Sequence, residues 1–204
     1  ITRIELNDCS QKCTETADRR FHSDVISVLS PQAIFDERPF PLLQGLGIHV
    51  CVRLKPETSK KTEPPKKSDS NQEAEASPWD FVVIPLGRTL PRLIPMPSSR
   101  GHGYVLLEDL VAHHIESFFP GREVVESIAF RITRSADVEL REDEAFDLMV
   151  GMEDVLESRR QSPVVRLEYS DGASDPMLAF LSEKMDMRSQ DLYAIEGPID
   201  LTYL

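Results

Sequence analysis

The clearest hydrophobic pattern in this chain is a two-residue alternation over residues 46–54. The apolar positions of this run are Leu46, Ile48, Val50, Val52 and Leu54. Glycine, histidine, cysteine and arginine occupy the positions between them. A period of two is typical of a strand with one buried face. A second apolar run, at residues 79–84, is the expected hairpin partner of this strand.

A change of period marks residues 130–149, with the sequence FRITRSADVELREDEAFDLM. Ile128, Phe130 and Ile132 alternate with small or polar residues, which predicts a strand. After Arg134 the apolar residues recur at steps of three and four, behind the acidic run Glu142 to Glu144. Acidic residues favour the first turn of a helix, and this spacing gives a helix one buried face. The segment is therefore predicted to be a strand that leads into an amphipathic helix.

Three further helices and several short strands follow from the same patterns. Residues 10–29 carry an apolar stripe of Cys13, Ala17, Phe21, Val25 and Val28. Residues 107–118 form a second stripe, and Asp175 before Pro176 predicts an N-cap and a third helix. Strands are predicted at 104–107, 163–169 and 192–195. About six short strands and four helices indicate an α+β fold, a two-layer sandwich with a mostly antiparallel mixed sheet and helices packed on one face.

The predicted hairpin is interrupted by residues 56–78, which differ in composition from the rest of the chain. This segment contains four prolines, four lysines and five acidic residues, and it lacks Leu, Ile, Val and Phe. Such a segment has no apolar surface whose burial would offset the entropy lost on ordering. We predict a flexible hairpin insertion at about residues 56–78 within a single domain that spans residues 1–204.

Overall charge and composition exclude several classes of protein. The 204 residues contain 23 Lys and Arg against 35 Asp and Glu, a formal net charge of −12. A strongly negative protein repels nucleic acid and anionic membrane surfaces, so no nucleic-acid partner is expected. No apolar run approaches the length of about 20 residues that a transmembrane helix needs. The three cysteines lack a zinc-binding or disulfide pattern and suit the reducing cytoplasm.

Four segments of the chain resemble the middle, or head, domain of the long bacterial polyphosphate kinases. They are residues 130–149 above, LLEDLVAHHIESFFPG (106–121), PVVRLEY (163–169) and LYAIEGPIDLTYL (192–204). The resemblance runs from about residue 10 to residue 204 and fails at the insertion. Together with a first residue that is Ile1 rather than Met, it indicates a piece of a longer protein whose N-terminal and C-terminal catalytic domains are absent.

The resemblance implies a parent enzyme that transfers the γ-phosphate of ATP, through a phosphohistidine, to inorganic polyphosphate. The transfer is reversible and uses Mg²⁺. The implied partners are the other domains of the same chain and a second copy in a homodimer or higher oligomer. ATP and polyphosphate bind through the parent, in the cytoplasm, with membrane association through a parent complex as an alternative. This segment is expected to supply dimer contacts and active-site walls, to bind neither cofactor alone and to be inactive alone.

The adjacent pair His113 and His114 invites comparison with a phosphorylated histidine. Neighbouring residues on a helix point about 100° apart, so the two rings do not converge on one site. His114 lies on the apolar stripe of its predicted helix. The resemblance places the nucleophile in the absent C-terminal half. We therefore expect packing or surface roles for both histidines and no catalytic or metal-binding residue in this segment.

Arg131, Arg134 and Arg166 are the candidate phosphate contacts. Arg131 and Arg166 point away from the apolar faces of their predicted strands. If these strands are neighbours, their guanidinium groups are placed to make fork-like contacts with a phosphate. The alternative is that Asp137 or Glu168 pairs with them in ordinary ion pairs.

Two alternative functions remain open at this point. The chain is either a free-standing interaction module with this fold and no catalysis, or a small enzyme that uses His114 or the arginine group. The sequence contains none of the glycine-rich phosphate loops, nucleophile elbows or zinc-binding helices that mark common enzymes.

Overall fold

The structure is a computed structural model that describes residues 2–35, 38–56, 80–98, 101–135 and 162–202. Within these ranges the chain forms two β-sheets and three α-helices. Residues 57–78 of the predicted insertion at 56–78 and the predicted helix that begins near Glu142 lie outside the described residues, as does Asp137.

The larger sheet has six strands among the described residues, in the order β2-β4-β3-β7-β8-β9. Its strands are β2 (Gln32–Ile34), β3 (Ile48–Leu54), β4 (Asp80–Pro85), β7 (Val124–Arg134), β8 (Val164–Ser170) and β9 (Leu192–Ile195). All neighbours are antiparallel except β8 and β9, which are parallel. The β3–β4 hairpin predicted from the two apolar runs is confirmed, with Leu54 opposite Asp80.

A smaller sheet contains β1 (Thr2–Arg3), β5 (Leu93–Met96) and β6 (Gly103–Leu106) in the order β1-β6-β5. β1 is parallel to β6, and β5 is antiparallel to it. Gly103 suits this close packing, because a Cβ there would lie 2.4 Å from Ile4 Cδ1 and 2.9 Å from Ser98 Cβ. The strand predicted at 104–107 corresponds to β6, but the second sheet was not predicted, because strands of two to four residues carry too little alternation to indicate which strands they pair with.

The helices are α1 (Gln11–Arg20), α2 (Leu107–His113) and α3 (Asp175–Lys184). A π-helical turn, Phe21–Val25, continues α1, and a 3-10 turn, Ile115–Phe118, follows α2. The wide π turn favours steps of four, so Leu29 is buried after Val25 and Val28 is exposed, contrary to the predicted stripe. At α3 the N-cap is Ser174, whose Oγ accepts a hydrogen bond from Met177 N, and not Asp175 as predicted.

The central strand β3 is buried on both faces. Val50 and Val52 face a hydrophobic cluster with α1 and α2, whereas Cys51 faces a second cluster with α3. The α+β class and its mostly antiparallel mixed sheet are confirmed. The helices are distributed over both faces of the larger sheet rather than one, because the residues of β3 opposite its apolar stripe are themselves buried.

Candidate functional site

A cleft of about 560 Å³ lies where β3 begins, between the turn after β4 and the start of α2. Its apolar wall includes Leu46, Ile48, Leu90 and Leu107. Its charged lining residues are Arg88, Arg92, Arg131, Glu108 and Asp200. An apolar pocket with a few converging polar groups is the usual form of a ligand site, which makes this cleft the candidate functional site.

Arg92 and Glu108 form a buried ion pair in the wall of the cleft. Arg92 directly precedes β5, and Glu108 belongs to the first turn of α2. Arg92 Nη2 lies 2.6 Å from Glu108 Oε1, and Arg92 Nε also donates to Oε1 at 3.0 Å. Buried charges of this kind are tolerated when they are paired and hydrogen-bonded. This pair therefore fixes the small sheet to α2.

Asp200 connects this pair to the larger sheet. Its Oδ1 is 3.3 Å from Arg131 Nη1, and its backbone oxygen accepts a hydrogen bond from Arg92 Nη1. Burial acts to raise the pKa of the Asp200 carboxyl. The hydrogen bond from Thr202 and the charges of Arg131 and Arg92 outweigh that effect, so the pKa lies below its ordinary value.

Glu168, which is buried on β8, receives two of the three predicted arginines. Arg131 lies opposite it on β7 and approaches Glu168 Oε2 at 2.6 Å. Arg166 approaches Glu168 Oε1 at 3.1 Å and lies over the ring of Tyr193 at 3.9 Å. These two arginines converge, but their guanidinium groups meet a carboxylate of the same chain, as in the alternative of an ion pair with Glu168.

Arg134 does not join them. A register shift between Thr133 and Arg134 interrupts the pairing of β7 with β8, and the Arg134 side chain is buried. Its Nη2 donates to the backbone oxygen of Leu43 at 3.2 Å, and its Nη1 donates to that of Ser162 at 2.5 Å. The arginine therefore fastens two connecting segments to the end of the strand.

Together the charges form a continuous chain of alternating sign. Its order is Arg166, Glu168, Arg131, Asp200, Arg92 and Glu108. This chain of ion pairs connects β8, β7, the segment after β9, the residue before β5 and α2. Such a network fixes the relative positions of these elements. Of the three arginines that line the cleft, Arg88 lies outside the network.

His113 is the last residue of α2, and His114 is its C-cap. His114 Nε2 is 2.8 Å from Asp18 Oδ1, and its ring stacks on Phe21 with centroids 4.5 Å apart. His114 Nδ1 lies 3.1 Å from the Leu110 backbone oxygen. His113 is exposed. The structure thus places His114 in the contact between α2 and α1 and His113 at the surface.

The cysteines are free thiols, and Cys13 and Cys51 are buried. Burial and a neighbouring Cys9 raise the pKa of Cys13 to about 12, so its thiol stays protonated at neutral pH. Over the described ranges, no group of three or more His, Cys, Asp or Glu side chains is placed to hold a metal ion. None of the helices in the same ranges combines the length and apolar character of a membrane span.

Sequence reasoning missed the residues that dominate this site. Arg92, Glu108 and Asp200 are separated by 16 and 92 positions along the chain, so no local spacing connects them. The one available signal was Glu108 itself, an acidic residue in the first turn of a predicted helix. Acidic residues are common in the first turn of a helix, so Glu108 did not stand out in the sequence. Only the structure shows that its side chain is buried.

Comparison with known proteins gives a consistent result. The family model described as "Polyphosphate kinase middle domain" matches residues 12–204. A polyphosphate kinase of Rhodopirellula baltica is 41% identical over 256 residues, covering 100% of this chain and 30% of that protein. A polyphosphate kinase of Halalkalibacterium halodurans is 31% identical over 206 residues, covering 100% of this chain and 27% of that protein. This chain therefore spans less than a third of the length of these relatives.

The fold agrees with the same family. It is similar to the crystal structure of polyphosphate kinase from Porphyromonas gingivalis, with a TM-score of 0.65 over 98% of this chain and 26% of that one. Sequence identity in this comparison is 18%. The sequence matches and the shared fold lead to one conclusion: this chain belongs to the polyphosphate kinase family, as its middle domain.

Proposed function

We propose that these residues are the head domain of an enzyme that reversibly transfers the γ-phosphate of ATP, through a phosphohistidine, to inorganic polyphosphate. In this proposal the chain shapes a wall of the active site and contributes contacts to a homodimer, in the cytoplasm. The family match and the relatives named polyphosphate kinase support the parent activity. The residues that react are assigned to other domains of the parent.

The observation that carries the scaffold role is the six-residue chain of ion pairs. Arg131 and Arg166, two of the arginines predicted to contact phosphate, are bound to Glu168. Arg131 is bound to Asp200 as well. Arginines held in this way already use several of their donors within the fold, which favours a positioning role over direct chemistry.

The surroundings of His114 support a nucleophile located elsewhere. Its two ring nitrogens face Asp18 and the Leu110 carbonyl, and its ring is stacked on Phe21. A histidine that attacks a phosphorus atom needs one nitrogen lone pair directed at open space. The contacts of His114 do not offer one, so we assign it to helix packing.

The parent is proposed to use ATP and Mg²⁺, and the residues of the cleft do not form the Mg²⁺ site. Mg²⁺ prefers carboxylate oxygens that retain room for several waters. The two carboxylates that line the cleft, Glu108 and Asp200, are buried and held by Arg92 and Arg131. The Mg²⁺ of the proposed enzyme therefore has no ligand among the residues of this cleft.

A comparison of the isolated chain with the full-length protein tests the division of labour. We expect ATP-dependent polyphosphate synthesis from the full-length protein and none from residues 1–204 alone, because the nucleophile lies outside them. A matched sample of full-length protein heated until it unfolds provides the background. Synthesis by the isolated chain would contradict this proposal.

Alanine substitution of Arg131 in the full-length protein separates a wall role from an interface role. A fall in phosphate transfer with the dimer intact, as judged by sedimentation velocity, assigns Arg131 to the active-site wall. Loss of the dimer assigns it to the interface. Arg134→Ala is the comparison variant, because Arg134 belongs to the same strand but is bonded to Leu43 and Ser162.

A further inference from the structure

The arginines of the candidate cleft differ in what already binds them. Arg92 is bonded to Glu108 and to the Asp200 backbone, and Arg131 is bonded to Glu168 and Asp200. Arg88 is exposed, and its side chain makes no hydrogen bond or ion pair with the residues that the structure describes. Arg88 is therefore the lining arginine whose donors remain available to a ligand.

The backbone next to Arg88 is open to a ligand. Gly87 has a φ of +64°, and a Cβ at that position would meet nothing within 4 Å. Across the cleft, Leu46 adopts a φ of 58°, which is uncommon for a residue with a side chain. Its backbone N–H donates to the Ile132 oxygen at 2.8 Å, which holds the turn in place. Strained backbone of this kind concentrates at functional sites.

The charge balance of the cleft favours an anion despite the net charge of the chain. Three arginines and two carboxylates line it, whereas the whole chain carries −12. Each carboxylate is bonded to an arginine, so neither faces the cleft as an uncompensated charge. Arg88 adds a positive charge that no carboxylate of the described residues binds.

From these observations we propose that Arg88 binds a phosphate group at the mouth of the cleft, beside Gly87. This proposal deepens the function proposed above and rests on it for the nature of the anion. The bound group is a phosphate of a polyphosphate chain or of a nucleotide, since both offer the same oxygens to a guanidinium fork. In this proposal the phosphate contact is Arg88, whereas the sequence pattern indicated Arg131, Arg134 and Arg166.

The test measures binding of tripolyphosphate to the full-length protein and to its Arg88→Ala variant at low and moderate salt. It also measures KM for long-chain polyphosphate and for ATP. Arg19→Ala is the matched control, because Arg19 is exposed on α1, does not line the cleft and carries the same charge. Arg88→Lys keeps the charge without the fork. Thermal unfolding of each variant verifies that the fold is retained.

We expect Arg88→Ala to weaken tripolyphosphate binding or to raise one of the two KM values about tenfold, as for loss of a hydrogen-bonded charge pair. Arg88→Lys should recover part of this loss, and Arg19→Ala should have little effect. A selective rise in KM for polyphosphate shows that the phosphate bound by Arg88 belongs to polyphosphate. A selective rise in KM for ATP shows that it belongs to the nucleotide.

Equal behaviour of Arg88→Ala and Arg19→Ala in all three measurements would overturn the assignment of Arg88. The proposed function would survive that result if the full-length protein still synthesises polyphosphate and the isolated chain does not. Conversely, synthesis by the isolated chain would reject the scaffold function while the binding comparison still decides the role of Arg88.

Discussion

Arg92 and Glu108 bind each other at 2.6 Å in a position where less than a tenth of either side chain is exposed. Replacing Glu108 by Gln should reduce the free energy of unfolding by about 3–5 kcal/mol, because the Arg92 charge then stays buried without its main counter-charge. Urea unfolding at neutral pH measures the change.

The matched control for this substitution is Glu123→Gln. Glu123 also forms an ion pair at 2.8 Å, with Lys55, but both side chains are more than half exposed. Exposed pairs contribute about 0–1 kcal/mol, so the control should be nearly neutral. Similar losses in the two variants would show that the buried pair has no special role in stability.

Ser174 caps α3 and also binds Glu126 on β7. Its Oγ donates to Glu126 Oε2 at 2.6 Å and accepts from Met177 N at 3.4 Å. Ser174→Ala should cost about 1–2 kcal/mol, because it removes both the cap and the bond to the strand. Thermal or urea unfolding gives the value.

Ser10→Ala provides the comparison for the helix cap. Ser10 is the N-cap of α1, but its side chain makes no capping hydrogen bond. A cost of only a few tenths of a kcal/mol is expected there. If Ser10→Ala proves as costly as Ser174→Ala, the side-chain bonds of Ser174 are not the cause of its effect.

His49 is predicted to make stability depend on pH. Burial lowers the pKa of His49 to about 4; the bond to the Gln44 backbone oxygen opposes this effect, and the charge of Arg134 adds to it. Its Nδ1 has no hydrogen-bond partner among the described residues, so a second ring proton would be buried without an acceptor. The folded chain therefore resists protonation of this ring.

The direction of the pH effect follows from this depressed pKa. Below the ordinary pKa of 6.5 the unfolded chain binds a proton that the folded chain does not, so stability falls as pH decreases from 6.5 towards 4. The loss attributable to His49 reaches about 3 kcal/mol at the lower limit. Unfolding free energies of the wild type and His49→Gln at pH 7 and pH 5 measure it, and parallel profiles would reject the prediction.

Asp186 ends α3 in a left-handed conformation with a φ of 52°. Asp186 N donates to the Glu183 oxygen and Met187 N to the Ser182 oxygen, the two bonds of a Schellman motif. Glycine adopts this conformation without a Cβ clash, so Asp186→Gly should stabilise the chain by about 1 kcal/mol.

Asp186→Ala is the control at the same position, because alanine removes the carboxylate and keeps the Cβ. It should leave the melting temperature unchanged or lower it slightly. A gain from alanine as large as that from glycine would attribute the effect to charge rather than to backbone conformation.

The fold was predictable wherever one face of an element is continuously apolar. The strand with Ile128, Phe130 and Ile132 is such a case, and all three residues are buried as predicted. β3 shows the limit of prediction from apolar alternation. Its apolar stripe was recognised, but His49 and Cys51 were expected on a polar face and are buried under a second layer that only the full topology creates.

The site was less predictable, because it depends on contacts between residues far apart in the sequence. The approach of Arg131 and Arg166 to each other follows from the pairing of β7 with β8, which alternation anticipates. Their common partner Glu168 was one of two alternatives. The contribution of Asp200 depends on where the segment after β9 crosses the cleft, and no pattern in that segment encodes the crossing.

The β3–β4 hairpin has a practical consequence. Leu54 pairs with Asp80, so the two ends of the intervening segment lie side by side at the same end of two adjacent strands. The entropic cost of closing a loop grows only by about 0.6 kcal/mol for each doubling of its length. A fluorescent reporter grafted between Pro56 and Asp80 would therefore leave the strand register unchanged and would give a visible tag for following this protein in a living cell.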